Sequence, residues 1–534
     1  MHSSRFSTSF LLLFVGSAAS QQIWDIWQTT WDRSGLFTSL APSTPINFVS
    51  PGAIGSADIV VDDSSVFQTV YGFGGSLTDS AALLFNNLKN QNSNNYWTLL
   101  NYLFSPTDGA NAAGLNYIRV PLGASDFSAN VYNYDETSGD TSFNNFNINA
   151  APSYVFSVLQ DIQSVNSYLK IHVLPWSPPG WMKSSGSMDG GSLSSNFVSS
   201  YATYLFKCLQ GFQSKGLTPY AISIQNEPQN SDTTYPSCSM PVSVEAQIGM
   251  ALRSMMNNNG FGGVRIIGFD HNWSGVSSYA IPLLQAAPNS FAGVAFHCYE
   301  GSVNEQAAFQ AAFPNKEIYF TECTGSLGSD WWSDIKWYMN NMCLDCFGTG
   351  SVSYGSSSGL MWNLALDGNG DPMLPGSDSC GGGCRGTVQI NSDGTYSVNQ
   401  EFYSMAQASK GIIPKDVGGP FGQRIGVTIG GNLASALTVG AYVTGRVNPS
   451  DWLRYSIVVL NENDGVSTGG SWNPVAVPTT IEFRGMQASY TFPVGVTTLW
   501  WFAPETSLNG TLEEDSYTLY AESDGKQQPL RFMK

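Results

Sequence analysis

Charge is scarce in this chain: only 12% of its 534 residues are Asp, Glu, Lys or Arg, and 22 are basic against 40 acidic. A formal charge of −18 argues against a nucleic-acid partner, whose phosphates need clustered Lys and Arg. It also argues against a polybasic patch for an anionic membrane surface. Beyond the N-terminus no run approaches the ~20 apolar residues that cross a bilayer. No HExxH helix, Walker-type loop or dinucleotide fingerprint occurs, so no metal or cofactor is expected. Gly355 to Gly359 matches G-x-S-x-G but precedes a strand-like run, whereas a nucleophile elbow must follow one.

What remains is apolar and aromatic. Hydrophobic residues make up 42%, with 30 Phe, 24 Tyr and 15 Trp, which excludes a mainly disordered chain. The length suits one large domain and a smaller one. Residues 1–20 read as a secretory signal: Arg5 is the positive start, residues 10–15 are apolar, and Ala18-Ala19-Ser20 is the small-residue cleavage site. A secreted, extracellular, soluble monomer is the expectation, with an acidic surface that keeps it in solution. Eight cysteines in an oxidising compartment suggest disulfides, and Cys343/Cys346 and Cys380/Cys384 are close enough to pair locally. Metal ligation is the competing reading, but no His-rich neighbour supports it. Sequons stand at Asn272 and Asn509.

Eight short apolar runs, most with polar residues at their C-terminal ends, follow one another from residue 69. They are TVYGFGGS, YIRVPL, KIHVLPWS, AISIQNEP, VRIIGFDHN, GVAFHCY, EIYFTECT and SGLMWNLAL. Stretches of helical spacing lie between most of them, as at 154–165 and 197–211. Eight strand–helix alternations predict a (β/α)₈ TIM barrel over 69–411, with any active site at the C-terminal ends of the strands. Residues 412–503 alternate apolar and polar with frequent Gly and Pro, which predicts an antiparallel β-sandwich. Residues 21–68 carry similar runs and are expected to join it. Residues 504–534 read as a polar tail.

Two glutamates end strand-like runs: Glu227 in AISIQNEP and Glu322 in EIYFTECT. Paired carboxylates hydrolyse glycosidic bonds, one protonating the leaving oxygen while the other attacks the sugar or activates water. A retaining enzyme holds them ~5–5.5 Å apart. The acid needs a raised pKa, and the nucleophile must stay ionised. Asn226, beside Glu227, is placed to bond the sugar 2-OH. A single such Glu would more simply cap a helix or pair with Arg; two at matched strand ends favour catalysis.

The blocks GFGGSLTDSAA, IRVPLGASDFS, PWSPPGWMKSSG, IQNEP, DHN, FHCYEG, FTEC and MWNLALD, in this order, resemble glycoside hydrolase family 30, which includes glucosylceramidases and fungal β-1,6-glucanases. The resemblance spans essentially the whole barrel and implies a side β-domain built from both termini. It implies Glu227 as acid/base and Glu322 as nucleophile, with Arg119, Asp126, Trp176, Asn226, His297, Tyr299 and Trp362 lining the sugar subsite. Asp126 would accept sugar hydroxyls and Arg119 would orient a carboxylate. Trp176 and Trp362 would offer apolar faces, and Tyr299 would donate to Glu322. His172 is expected in the core. Trp331 and Trp332 are expected either as outer platforms or as a hydrophobic lid.

GSDSCGGGCRGTVQI (376–390) and the WSPPGWMK form are similar to the β-1,6-glucanase branch, whereas IRVPLGASDFS and WNLALD are closer to the glucosylceramidases. The expected substrate is a polysaccharide, β-1,6-glucan, hydrolysed by endo action. A glycolipid, glucosylceramide, is the alternative, with β-1,6-galactan and xylan further behind. A catalytically dead carbohydrate-binding barrel is opposed by the presence of both glutamates.

Overall fold

The computed structural model describes residues 21–50, 55, 57–343, 350–381, 383–505, 520–523 and 526–529. The expected signal segment, Cys346 with its pairing to Cys343, and Asn509 lie outside the described residues.

Each of the eight apolar runs forms one strand of a parallel barrel: β1 (Gly72–Ser76), β2 (Tyr117–Pro121), β3 (Lys170–Leu174), β4 (Ala221–Ser223), β5 (Arg265–Asn272), β6 (Gly293–His297), β7 (Glu317–Glu322) and β8 (Ser358–Asn363). Hydrogen-bonded ladders run β7-β6-β5-β4-β3-β2-β1-β8. The ring closes between β7 and β8 through an Ile318–Ser356 bridge and the Trp362 N–H, which donates to Cys323 O at 2.7 Å. Strand periodicity sorts the side chains. Ile118, Val120, Ile222, Val294, Phe296, Ile318 and Phe320 face outward into the layer packed by the helices. Tyr117, Ala221, Ile267, Ala295, Tyr319 and Leu360 fill the lower interior. Close strand approach dictates a glycine at 74, because a Cβ there would sit 2.0 Å from Tyr117 O.

The connecting helices follow local rules. Thr78 caps the helix Asp79–Gln91 by accepting from the Ala81 N–H, and its own hydroxyl donates to Asn363 at 2.8 Å, which ties β1 to β8. The stretches of helical spacing become Ser153–Val165 and Val198–Ser214, which bury Val155, Leu159, Ile162 and Tyr201, Leu205, Leu209 against the barrel.

Both ends of the chain build the second unit. Gln22–Thr30 pairs antiparallel with Gly495–Ala503, and Ala57–Thr69 pairs with Gln423–Gly431 and Val477–Phe483. The ten-stranded sheet folds around one core containing Ile59, Val439, Ile457, Ile481 and Trp501. Its far edges approach where Val49 bridges Gln487 and Phe48 packs on Phe483 and Trp501. The helix Gln400–Ile412 is buried along its whole length, and Thr498 in the sheet donates to its Gln407 O. Near the C-terminus, Tyr520–Ser523 and Lys526–Pro529 pair antiparallel.

Candidate active site

Regular alternation stops at the C-terminal ends of the strands. In β5 an extra residue, Asp270, stands between the partners of Ala295 and Phe296. Phe269 thereby packs with the outer layer, and Asp270 turns inward. In β7 Thr321 is the extra residue, so Thr321 and Glu322 both reach interior partners. In β8 the register shifts at Trp362. A bulge lets consecutive residues break the two-residue alternation and re-aims a side chain. Phe269, Asp270 and Glu227 also take left-handed backbone angles, with φ of 68°, 53° and 48°. Such conformations cost about 1–3 kcal/mol each and persist where surrounding bonds over-determine them. Here the Glu227 N–H donates to Asp270 O at 3.0 Å and the Asn226 N–H to Pro175 O at 2.9 Å.

The two glutamates meet around one imidazole. His297 Nδ1 lies 3.0 Å from Glu227 Oε1 and 4.0 Å from Glu322 Oε1. The two oxygens are therefore no farther apart than the sum of those distances, short of most of the ~6.5–9.5 Å range of inverting enzymes. Arg119, in the middle of β2 and fully buried, donates to Glu322 Oε2 at 2.5 Å, Asn226 Oδ1 at 2.5 Å and Asp270 Oδ1 at 3.2 Å. Tyr299 OH donates to Glu322 Oε1 at 3.0 Å. Asp270 also accepts from Thr321 at 2.7 Å and meets His297 Nε2 at 2.9 Å.

These contacts set the charges. Burial alone would raise the Glu227 carboxyl, but the nearby His271 ring, 3.6 Å away, and the bond and charge of His297 hold it well below the carboxylate range. Burial alone would lower His297; the charge of Glu322 and the bonds to Asp270 and Glu227 instead push it up to about 9. Asp270 overcomes its burial through Arg119 and His297 and is held well below its usual value. The Glu227–His297 pair thus carries one proton in the free site, and it rests on the imidazole. This differs from the expected raised carboxyl, because two histidines flank Glu227. Glu227, Asp270 and Glu322 thus gather around Arg119 and His297.

A cleft of about 480 Å³ opens above this network, lined by Asp126, Trp176, Asn226, Glu227, Tyr299, Glu322 and Trp362, together with Asp232, Tyr235, Thr324, Asp378, Ser379 and Cys380. All nine sequence-predicted site residues are brought together: seven on the lining, with Arg119 and His297 immediately beneath. Tyr299 is 43% exposed. Trp176 and Trp362 stack on each other at 4.8 Å, so each ring uses one face on its neighbour, while the Arg119 guanidinium lies 4.9 Å from Trp176. Burial pushes Asp126 up to about 7, against the Ser379 hydroxyl that donates to it at 2.7 Å and with Glu322 adding like charge.

Other residues came from no motif. Asn230 donates to Glu227 Oε2 at 3.3 Å and to Tyr235 OH at 3.0 Å. Thr234 and Asp378 bond reciprocally, joining the loop after β4 to the loop after β8 on the opposite side of the ring. Cys380–Cys384 closes that second loop as expected from spacing, while a second disulfide, Cys298–Cys323, joins the residues next to His297 and Glu322. His172 is buried in the interior, 2.8 Å from Ser223 Oγ. Trp331 and Trp332 lie outside the cleft lining. Trp332 Nε1 donates to Asp464, and Trp331 stacks under Arg33, both contacts to loops that follow strands of the side sheet. Asn272 is buried and accepts the Tyr299 N–H at 3.0 Å. Glu227, His271 and His297 also bring three metal-capable donor atoms within 4.8 Å of one another.

A parallel barrel presenting two close carboxylates at its strand ends is the equipment of a glycosidase. Residues 70–375 match the family model described as the glycosyl hydrolase family 30 TIM-barrel domain, and the chain belongs to that family. It is 35% identical to an endo-1,6-beta-D-glucanase of Neurospora crassa over 68% of this chain and 74% of that protein. It is 29% identical to a putative glucosylceramidase of Caenorhabditis elegans over 51% of this chain and 54% of that protein. A solved endo-beta1,6-glucanase superposes with a TM-score of 0.75 at 25% identity, covering 91% of this chain and all of that one.

Proposed function

We propose that the protein is an endo-acting β-1,6-glucan hydrolase working by retention, with Glu322 as nucleophile and Glu227 as acid/base. The observation that carries this reading is the shared imidazole: His297 contacts Glu227 and reaches Glu322, while Arg119 and Tyr299 hold Glu322 alone. Glu322 is thereby held in place beneath the sugar carbon. Glu227 receives the stored proton from His297 and passes it to the leaving oxygen. The transition state is oxocarbenium-like. Water then attacks the glycosyl–Glu322 ester with Glu227 as base. Asp126, Trp176, Asn226, Tyr299 and Trp362 bind and orient the sugar, and Arg119 orients Glu322 and Asn226 from beneath.

The names of the similar fungal enzymes support β-1,6-glucan, and so does the cleft rim. Asp232, Thr324, Asp378 and Ser379 offer hydrogen bonds to a hydroxylated chain. Delivery outside the cytosol is supported by the two disulfides. No helix among the described residues is long and apolar enough to cross a membrane. Hydrolysis should be measured on pustulan, laminarin, xylan and glucosylceramide, with wild type and Glu322→Gln. Pustulan should be cleaved to oligosaccharides, and the variant should lose on the order of 10⁴-fold in kcat. An enzyme inert on pustulan but active on glucosylceramide overturns the substrate; equal rates for both proteins overturn the nucleophile.

A further inference from the structure

His271, the next-to-last residue of β5, takes no part in the hydrolytic scheme above. Its Nδ1 is buried, has no hydrogen-bond partner, and lies 3.6 Å from Glu227 Oε1. His297 Nδ1 stands 3.0 Å from the same oxygen. A tetrahedral ion with ~2.0–2.1 Å bonds to nitrogen and oxygen separates its ligands by about 3.3 Å. The two observed separations straddle that value, and all three donors lie within 4.8 Å of each other. The remaining adjustment falls on His271, whose side chain is 13% exposed at the wall and unconstrained at Nδ1.

The surroundings match a metal site in a second respect. A metal-bound histidine characteristically gives its other ring N–H to a carboxylate, which fixes the ring and directs the free nitrogen at the ion. His297 Nε2 meets Asp270 Oδ1 at 2.9 Å, and Asp270 is itself fixed by Arg119 and Thr321. Two imidazoles and one carboxylate are a ligand set suited to zinc, with the fourth position open. Of the three ligands Glu227 lines the cleft, and the two histidines stand behind it. Magnesium and calcium prefer six or more oxygen ligands and do not fit.

We propose that Glu227, His271 and His297 bind a divalent transition-metal ion, zinc being the representative case, and that this ion reversibly blocks hydrolysis. It coordinates the carboxylate that must otherwise carry a proton to the leaving oxygen. No covalent bond forms or breaks, and no redox partner is needed. The ion and the sugar exclude one another, so inhibition is competitive.

Calorimetric titration of the full chain with zinc chloride tests the site without using activity, so it stays readable even if pustulan is the wrong substrate. Wild type should bind one Zn²⁺ per chain and no Mg²⁺. His271→Asn and His271→Ala should each weaken Zn²⁺ binding by at least about 10-fold, since loss even of an outer-sphere partner costs that much. Thermal melting shows whether each variant is folded, and the comparison is read from whichever is. With Cu²⁺ as probe, electron paramagnetic resonance should show two coupled nitrogens in wild type and one in the folded His271 variant. On any glycoside that the enzyme cleaves, Zn²⁺ should raise KM without lowering kcat, and EDTA should reverse the effect. The proposal is overturned by absent stoichiometric binding, by unchanged affinity or nitrogen count in the variants, or by equal inhibition with Mg²⁺.

Discussion

In the lower half of the barrel, Tyr117, Ala221, Ile267, Ala295, Tyr319 and Leu360 point inward from strands in regular register. In the upper half three strands are bulged, and the interior holds Arg119, Asp270, His297 and Glu322 instead. The same strands supply both layers. The lower layer is made by two-residue alternation and holds the ring together by apolar contact. The upper layer needs the alternation broken, and it is held by hydrogen bonds and ion pairs that converge on Arg119, Asp270 and His297. Packing tolerates approximate shape, whereas a charge network fails when one member is removed.

Arg119→Met breaks this contrast hardest. It leaves Asp270 and Glu322 buried without their common cation, and removing one partner of a buried pair costs about 3–5 kcal/mol. Urea unfolding should show that loss, and hydrolysis should nearly vanish with it. A stable, active Arg119→Met would mean the upper layer is not held by charge. Leu360→Ala should cost about 2–5 kcal/mol through a cavity in the lower layer. Here kcat/KM per folded molecule should stay within a few-fold of wild type; a large drop would show that the layers are mechanically coupled.

The proton on His297 sharpens the comparison further. Its value is raised from 6.5 to about 9, so its contribution to stability is complete below pH 6.5 and is lost as pH rises through about 9. The same loss removes the proton meant for the leaving oxygen. The pH profile of kcat/KM should therefore fall on its alkaline side with an apparent pKa near 9 belonging to the Glu227–His297 pair. His297→Gln should abolish that limb. The smallest effect belongs to Ser379→Ala, which removes the hydroxyl from Asp126. A neutral hydrogen bond is worth about 0.5–1.5 kcal/mol, so KM should rise a few-fold with kcat nearly unchanged. Steady-state kinetics on pustulan separate the two parameters.

The regular half was legible in the sequence because apolar alternation is a local signal. Every one of the eight runs became a strand, and Glu322 and His297 do end theirs. Glu227 was placed at a strand end, yet β4 stops at Ser223 and Glu227 sits beyond it in a left-handed turn. Asp270 was missed as an inward group because period two sends it outward unless the bulge is known, whereas in β7 alternation from Tyr319 already sends Thr321 inward and it is Glu322 that the bulge turns in. His271 stood inside the DHN block, and the block named no role for it. Asp232, Asp378 and Ser379 lie on loops, whose meeting across the ring leaves no periodic trace. The Cys380–Cys384 pair is four residues apart and was visible; Cys298 and Cys323 are 25 apart and were not.

That longer crosslink has a consequence for where the molecule can mature. It joins the residue after His297 to the residue after Glu322, at the seam where Cys323 O also receives the Trp362 N–H. Thiol oxidation therefore completes the mouth of the ring rather than bracing a remote surface. A chain synthesised where glutathione keeps thiols reduced carries every acid, base and aromatic ring described above, but on two strands held at their reacting ends by backbone pairing without the covalent tie. The chemical surroundings of the nascent chain thus finish the job that its folding begins.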